Sequence, residues 1–541
     1  MTANSKAPVE PVLELDDIQG IAVPGFLKPH QTLIGLKLPP AAGLARAKAF
    51  LARLANSIST GAETLEDRRA RREQARQQNV RHVQRPGQVL VGLGCSAPGL
   101  AALTPGANAI DSPAFRIGLA GRSSLLGDPT DNTDEGHPDN WVVGGPDKVP
   151  DLFLVLAGDH RDMIDERVAA LLAEVQEAGL TVLYKENGDV RDDEWNGMNM
   201  RGHEHFGFDD GISQPGIRGR ASSGADDFIT ERHIAPSATP ETWLNGLPGQ
   251  ALVWPGEMVI GYPAGSPDPL LPGQDLEPAP DWARNGSFLV FRRLRQDVGL
   301  FWRTMRDKAA ELATMPGFED MHDEKLASRM LGRWLSGAPV ARTPGADDAK
   351  LGSNRLANND FRYAADTPKL PVEGYDDTFP PAKSDPAGVT CPWSAHIRKV
   401  NVRDAGSDMG GGDATYKRRL LRIGVPFGKP LADRYATRDQ DPLDGDRGLL
   451  FLSVQVSIED QFEFLQTRWM NDPTRPKMPG GHDMLVGQNP AAGEDRVRSC
   501  AIFGGGLQQV GVSTAAQWIV PTGGGYFFLP SLSAIKNVLA R

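Results

Sequence analysis

The stretch "LFLVLAGDHRDMIDERVAALLAEVQEAGLTVLYKE", residues 152–186, sets the architecture. Its opening, 152–157, is a short apolar run of the kind that forms a buried strand. Ile164, Val168, Leu171, Leu172 and Val175 then recur at the spacing that gathers side chains on one helix face. Gly179 stands where a helix is closed by a residue tolerant of the left-handed conformation. "LTVLYKE" (180–186) reads as the next strand, so the unit is strand–helix–strand.

The same theme recurs outward from this stretch. "HQTLIGLKL" (30–38) alternates like a strand, "AAGLARAKAFLARLANSI" (41–58) reads as a helix, and "GQVLVGLGC" (87–95) as a further strand. In the second half, "GSFLVFRRLRQ" (286–296) is strand-like and a helix is predicted from Asp297. "GLLFLSVQV" (448–456) alternates, and Ser457 with Asp460 forms a capping signature that opens a helix over "IEDQFEFLQTRWM". Pro/Gly-rich connectors at 264–286, 336–352 and 365–392 are long enough to wrap a surface or line a site. The pattern predicts two α+β units, 1–225 and 226–541.

Composition narrows the function. With 541 residues, 40% of them hydrophobic and 23% charged, the chain has ample material for a core. A formal net charge of -11 argues against nucleic acid and anionic membrane as partners. The basic run "DRRARREQARQQ" (67–78) lacks interleaved aromatics and reads as a solvated helix face. No apolar run approaches the roughly 18 residues of a membrane span. Cys95, Cys391 and Cys500 are scattered, without zinc spacing or an even disulfide count, which suits a reducing compartment. No basic region followed by an apolar run opens the sequence, so a cytoplasmic location is expected.

Three local motifs carry little. "GLGCSA" (92–97) has dinucleotide-fingerprint spacing, but Pro98 and Gly99 follow and no acidic strand end lies about 20 residues on. The acidic run 128–141 has Val142 where a calcium loop needs a bidentate Glu, and reads as an exposed acidic loop. The triple-glycine runs at 410–412, 504–506 and 523–525 lack a following Lys-Ser/Thr and read as turns.

The chemistry concentrates in three segments: "HEHFGFDDGISQPGIRG" (203–219), "CPWSAHIRKVNVRD" (391–404) and "YKRRLLRIGVPFGKP" (416–430). The first contains Gly207-Phe208-Asp209-Asp210-Gly211. Together with "LDDIQG" (15–20), "GEMVIGYP" (256–263), "NGSFLVFRRLRQDV" (285–298), "LASRMLGRWLSGAP" (326–339) and "GLLFLSVQVSIEDQFEFLQTRW" (448–469), these segments resemble, in order, those of the dye-decolourising-type haem peroxidases, in their larger-member subclass. Two departures are visible: Val402 stands where the family often has proline, and Ile423 where it often has a second basic residue.

That resemblance implies two ferredoxin-like domains with antiparallel sheets, resembling a dimeric α/β barrel, and one b-type haem per chain between them. It implies His396 as proximal iron ligand, Asp210 as distal acid–base residue and Arg422 as distal arginine, with Arg418 and Arg419 one turn away as competitors. It also implies hydrogen peroxide and a small aromatic or dye-like electron donor as partners, and a ferryl intermediate. A proximal imidazole should donate its second N–H to a carboxylate. Glu463 is the candidate, with Glu459 and Asp460 as alternatives. Leu449 and Phe451 fall on one strand face, suited either to walling a haem pocket or to an ordinary core. Asp209 is read as part of the turn geometry or as a residue supporting the site from behind, and His203 and His205 as structural. The competing functions are haem delivery, or iron release from haem by the same fold. The oligomer is expected to be a monomer or homodimer.

Overall fold

The computed structural model describes residues 8–78, 88–234, 241–441 and 445–541. The first seven residues, part of the basis for the expected location, and Gly87, at the head of an expected strand, lie outside the described residues.

Four strands of the first half, β1 (His30–Lys37), β2 (Leu90–Cys95), β3 (Leu152–Gly158) and β4 (Thr181–Asp189), pair antiparallel in the order β4-β1-β3-β2. Helices α1 (Leu44–Leu54) and α2 (Gly61–Gln78) connect β1 to β2, and α3 (Arg161–Glu177) connects β3 to β4. This is the ferredoxin-like order. The opening stretch therefore supplies β3, α3 and β4, with Gly179 at φ 76° ending the helix.

The second half repeats the order. Strands β5 (Ser287–Gln296), β6 (Leu421–Arg422), β7 (Val425–Phe427), β8 (Gly448–Gln455) and β9 (Ile519–Leu529) pair antiparallel as β9-β5-β8, with β6 and β7 both on the far edge of β8. Helix α4 (Val298–Leu312) follows β5, and the Asp297 carboxylate caps it by accepting the Leu300 N–H at 3.0 Å. The helix after β8 is wound more widely than expected: Ile458–Glu463 and Leu465–Met470 are π-helical. Thr467 Oγ1 donates to the Glu463 carbonyl at 2.7 Å, competing for an acceptor that an α-helix would give to backbone. Ser457 Oγ still caps the start, accepting the Asp460 N–H at 3.0 Å.

Antiparallel pairing of β9 with β2 (Phe528 opposite Cys95) joins the halves into one nine-stranded sheet. The sheet curls until β4 meets β7. A Cβ placed on Gly188 of β4 would lie 2.2 Å from Val425 Cγ1, so only glycine allows this closure. Leu33, Phe153, Val155, Leu289, Phe291, Leu450, Leu452 and Phe527 fill the enclosed side, with the Phe153 and Phe527 rings stacked at 4.5 Å. Ile34, Leu154, Leu156 and Val290 face outward against α1 and α3.

All three cysteines are buried and unpaired. Among the described residues, no helix is long and apolar enough to cross a membrane. The basic face of α2 is tied to the body: Arg68 Nη2 donates to the Pro24 and Gly25 carbonyls, and Arg71 pairs with Asp67 and Asp159.

Candidate functional site

The loop carrying Asp210 is built on Glu204. The Glu204 carboxylate accepts the N–H groups of Phe206 and Phe208, each at 2.8 Å, and its carbonyl accepts the Gly207 N–H at 3.0 Å. Gly207 at φ 103° and Gly211 at φ 80° adopt conformations that disfavour a side chain. Phe206 and Phe208 sink into a core with Phe301 and Trp302, and Trp302 Nε1 donates to the Phe206 carbonyl at 3.1 Å. Phe208 of the motif and Phe206 just before it thus anchor the loop, leaving Asp210 with 35% of its side chain accessible.

Arg422, on β6, meets this loop across the sheet edge. Its Nη1 donates to Asp210 Oδ1 at 2.8 Å and its Nη2 to the Ser213 carbonyl at 3.2 Å. Gln214 clamps the same strand, accepting the Arg422 N–H at 3.1 Å and donating to the Arg422 carbonyl at 2.9 Å. Asp210 Oδ1 also accepts the Gly211 N–H at 2.6 Å, which leaves Oδ2 as the available oxygen. Burial pushes the Asp210 pKa up, but the Arg422 charge and hydrogen bond, the Gly211 N–H and the charge of His396 hold it below the ordinary carboxylate value. A Cβ on Gly211 would meet nothing within 4 Å.

His396 opens the short helix α5 (His396–Lys399), and its ring is 25% accessible. Its Nδ1–H donates to Asp483 Oδ2 at 2.7 Å. Asp483 is fully buried, and its Oδ1 accepts the N–H groups of Leu485 and Val486, each at 3.0 Å. Burial raises the Asp483 pKa, and His396 with the two amides brings it below the usual value. The loop bearing Asp483 is held by Lys399, a buried cation whose Nζ donates to the carbonyls of Asp472, Arg475 and Gly481.

The expected partner of His396 is therefore corrected. Glu463 pairs with Arg122 and accepts from Tyr526. Glu459 accepts from Ser112 and Ala114, and Asp460 from Arg418, so neither alternative serves His396. Among the three candidate arginines, Arg422 is the one paired with Asp210. Arg418 lies over the Phe464 ring, and Arg419 Nη2 donates to Thr415 Oγ1 at 3.2 Å. Arg419 Nε is buried without a hydrogen-bond partner, and burial together with Arg403 pushes its pKa down to about 10. Beyond burial, Arg403 lowers the pKa of both Arg333 and Arg419; Asp209 partly offsets this at Arg333, and Asp360 and Asp404 act on Arg403, while no carboxylate among the described residues offsets it at Arg419.

Leu449 and Phe451 alternate with the buried Leu450 and Leu452 and point to the outer side of β8, where both remain half-buried. His203 and His205 are buried, their Nε2–H groups donating to the carbonyls of Leu335 (3.1 Å) and Phe427 (2.8 Å). Burial pushes the pKa of His205 down to about 3, so it is neutral. Asp209 is buried and its backbone bridges to His203. In the acidic run, Asp128 is buried against Arg292, and Asp131 and Asp134 bond locally to Thr133 and Gly136. No cluster of potential metal ligands occurs among the described residues.

Sequence reading did not single out Asp483, Gln214 or Glu204. Glu204 lies three residues ahead of the motif glycine, a spacing that could have marked it as the loop's acceptor. Asp483, in "GGHDML", carries no comparable signal.

No family model matches the chain. A dye-decolorizing peroxidase from Mycetinis scorodonius is 31% identical over 442 residues, spanning 80% of this chain and 73% of the relative. One from Exidia glandulosa is 32% identical over 460 residues, spanning 84% and 76%. Among solved structures, an ancestral D-type dye decolorizing peroxidase aligns with a TM-score of 0.73 and 29% identity, covering 99% of this chain and all of the other. A variant of the Pleurotus ostreatus dye-decolorizing peroxidase aligns at 0.72 and 26%, covering 98% and 100%.

Proposed function

The chain belongs to the dye-decolorizing peroxidase family and is a peroxidase; on that premise we propose that it reduces hydrogen peroxide at a b-type haem while oxidising small aromatic or dye-like donors, with Asp210 and Arg422 acting on the peroxide. The observation that carries the residue assignment is the Arg422–Asp210 ion pair, which lies close enough to the Asp483-tethered His396 for the His396 charge to act on Asp210.

The donor set fits a haem. His396 Nδ1 is committed to Asp483, so Nε2 remains as the nitrogen to hold the metal. Arg419, with a buried Nε that lacks a hydrogen-bond partner and no carboxylate among the described residues acting on it, suits a group that brings its own carboxylates, because an uncompensated cation out of water is costly. Leu449 and Phe451 would wall the same group. When bound, the haem supplies the iron site for peroxide and the electrons that break its O–O bond.

The chain's own residues manage protons and charge. Asp210, ionised because Arg422 offsets its burial, takes a proton from the inner peroxide oxygen on Oδ2 and returns it to the outer oxygen. Arg422 holds Oδ1, so the free oxygen keeps one orientation, and its guanidinium offsets negative charge as the O–O bond parts. The Asp483 carboxylate fixes the His396 tautomer and raises the basicity of Nε2.

An absorption spectrum of the haem-loaded protein tests this, wild type beside His396→Ala, before and after one equivalent of peroxide. A Soret band that requires His396 and shifts with peroxide is expected. A His396-dependent band indifferent to peroxide would indicate haem delivery instead, and the absence of any Soret band would overturn the assignment.

A further inference from the structure

The segment 13–17 and helix α2 enclose a cleft of about 660 Å³ that is lined by none of Asp210, Arg422 and His396. Its helix wall is a single face, because Ala62, Leu65, Glu66, Arg69 and Ala70 follow the i, i+3, i+4, i+7, i+8 spacing. The floor is apolar: Leu13, Leu15 and Leu65 are buried, and Ala62, Ala70 and Ala221 leave open the space that longer side chains would fill. The rim is acidic, with Glu14, Asp16, Asp17 and Glu66 against the single guanidinium of Arg69. That guanidinium is already spent on Asp227 Oδ1 at 2.7 Å and the Phe228 carbonyl at 3.0 Å.

Both halves of the chain build the cleft. The Leu13 N–H donates to the Arg220 carbonyl at 3.0 Å and the Ala62 N–H to the Leu15 carbonyl at 3.2 Å, which fixes 13–17 against the first half. From the second half, Arg284 Nη2 and Asn285 Nδ2 each donate to the Glu14 carboxylate at 2.9 Å. Asp17 is held by Asn285 Nδ2 at 2.8 Å, and by the N–H (2.7 Å) and hydroxyl (3.0 Å) of Ser533. These three donors are neutral, so they orient the Asp17 charge without offsetting it. Among the described residues, the Asp16 and Glu66 carboxylates have no hydrogen-bond or ion-pair partner.

These features select a class of ligand. Pre-formed clefts of roughly 300–1,000 Å³ between domains are ordinary sites for small molecules. A leucine floor stabilises an apolar body, while carboxylates left without counter-ions favour a cation and reject an anion. No group of three potential metal ligands converges among the described residues, so the spread carboxylates suit an organic ion rather than a bare metal. We propose that this cleft is a binding site for a small organic ammonium ion with an apolar body, held by Asp16, Asp17 and Glu66 over the leucine floor. The site binds without reacting, since the residues assigned to peroxide lie elsewhere, and the proposal does not depend on the peroxidase reading.

The test is isothermal titration calorimetry of 9-anthrylmethylammonium into the holoenzyme without peroxide. The controls are 9-anthracenecarboxylate, which reverses the charge, and spermidine, which lacks the apolar body. Wild type is compared with Asp16→Asn, Glu66→Gln, the double variant and Ala70→Phe, whose ring occupies the cleft. The expected result is one cation bound per chain with an unchanged Soret band, and weak or absent binding of both controls. Each single neutralisation should weaken binding about 2–5-fold, the size of an exposed ion pair. The double variant should weaken it further, and Ala70→Phe should abolish it. Equal affinity for either control, a Soret band that shifts with the cation, or no binding to wild type overturns the proposal. Neutralised variants that bind like wild type overturn it as well. If Ala70→Phe does not fold, the double variant decides: weakened binding supports the site, and unchanged binding overturns it. A wild type that binds the cation but consumes no peroxide would overturn the peroxidase reading and leave this site standing.

Discussion

Arg422 Nη1 donates to Asp210 Oδ1 at 2.8 Å, joining residues 212 positions apart in the chain. The contact gives the two side chains separable duties: Asp210 carries a proton on Oδ2, and Arg422 both orients the carboxylate and offsets developing charge. Removing a positioned acid–base group slows a step by about 10²–10⁴, and removing an oxyanion-type donor by about 10²–10³. Because Arg422→Ala removes the donor and also releases Asp210, it is expected to slow peroxide activation at least as much as Asp210→Asn. Stopped-flow rates for both holoenzymes check this; a clearly faster Arg422→Ala would assign the arginine a minor part.

The same pair predicts a pH effect. Burial raises the Asp210 pKa and Arg422, with smaller contributions, reverses the shift. A base with a depressed pKa stays ionised in acid, so the wild-type rate should persist below the usual carboxylate range and fall only as pH drops through the depressed value. Without Arg422 the burial effect dominates, Asp210 protonates at higher pH, and the acid limb should move upward. A pH profile of peroxide activation in Arg422→Ala with an unshifted acid limb would remove Asp210 as the base.

At His396, Asp483→Asn retains shape but removes the charge that the Nδ1–H faces. Loss of such a partner costs about 10–100-fold in metal affinity or activity. The expected outcome is a loss of that order, with a raised iron reduction potential by spectroelectrochemistry, while Glu463→Gln leaves the potential unchanged. Equal shifts in the two variants would contradict the reassignment from Glu463 to Asp483.

Closure of the sheet makes a prediction about stability. Gly188→Val would drive Cβ toward Val425 Cγ1 at 2.2 Å and toward the Pro426 carbonyl at 3.1 Å. Overpacking of this kind costs about 1–3 kcal/mol. Chemical denaturation should show a lower midpoint than for wild type. An unchanged midpoint would mean that β4 and β7 can separate without penalty.

The alternation and periodicity of local segments were enough to determine the elements. Residues 152–186 form strand, helix and strand because burial on one face writes itself into every third or fourth residue of a helix and into the apolar run of a strand. The Gly207–Gly211 motif likewise marked its own turn, since its glycines occupy positive-φ positions and Phe208, with Phe206 just before it, anchors the loop. What local pattern could not carry is any contact made between irregular segments. Asp483 stands 87 positions from His396 in a loop with no period, where an aspartate reads as an ordinary turn former, and Glu463 was equally plausible until the chain was folded. The ion pair of Asp210 with Arg422, rather than with Arg418 or Arg419, was settled because Arg422 lies on β6, which Gln214 clamps against the loop, whereas Arg418 and Arg419 precede that strand. Closure of the two halves into one sheet was likewise a tertiary decision, because it depends on β9 reaching β2 and on a single glycine letting β4 approach β7.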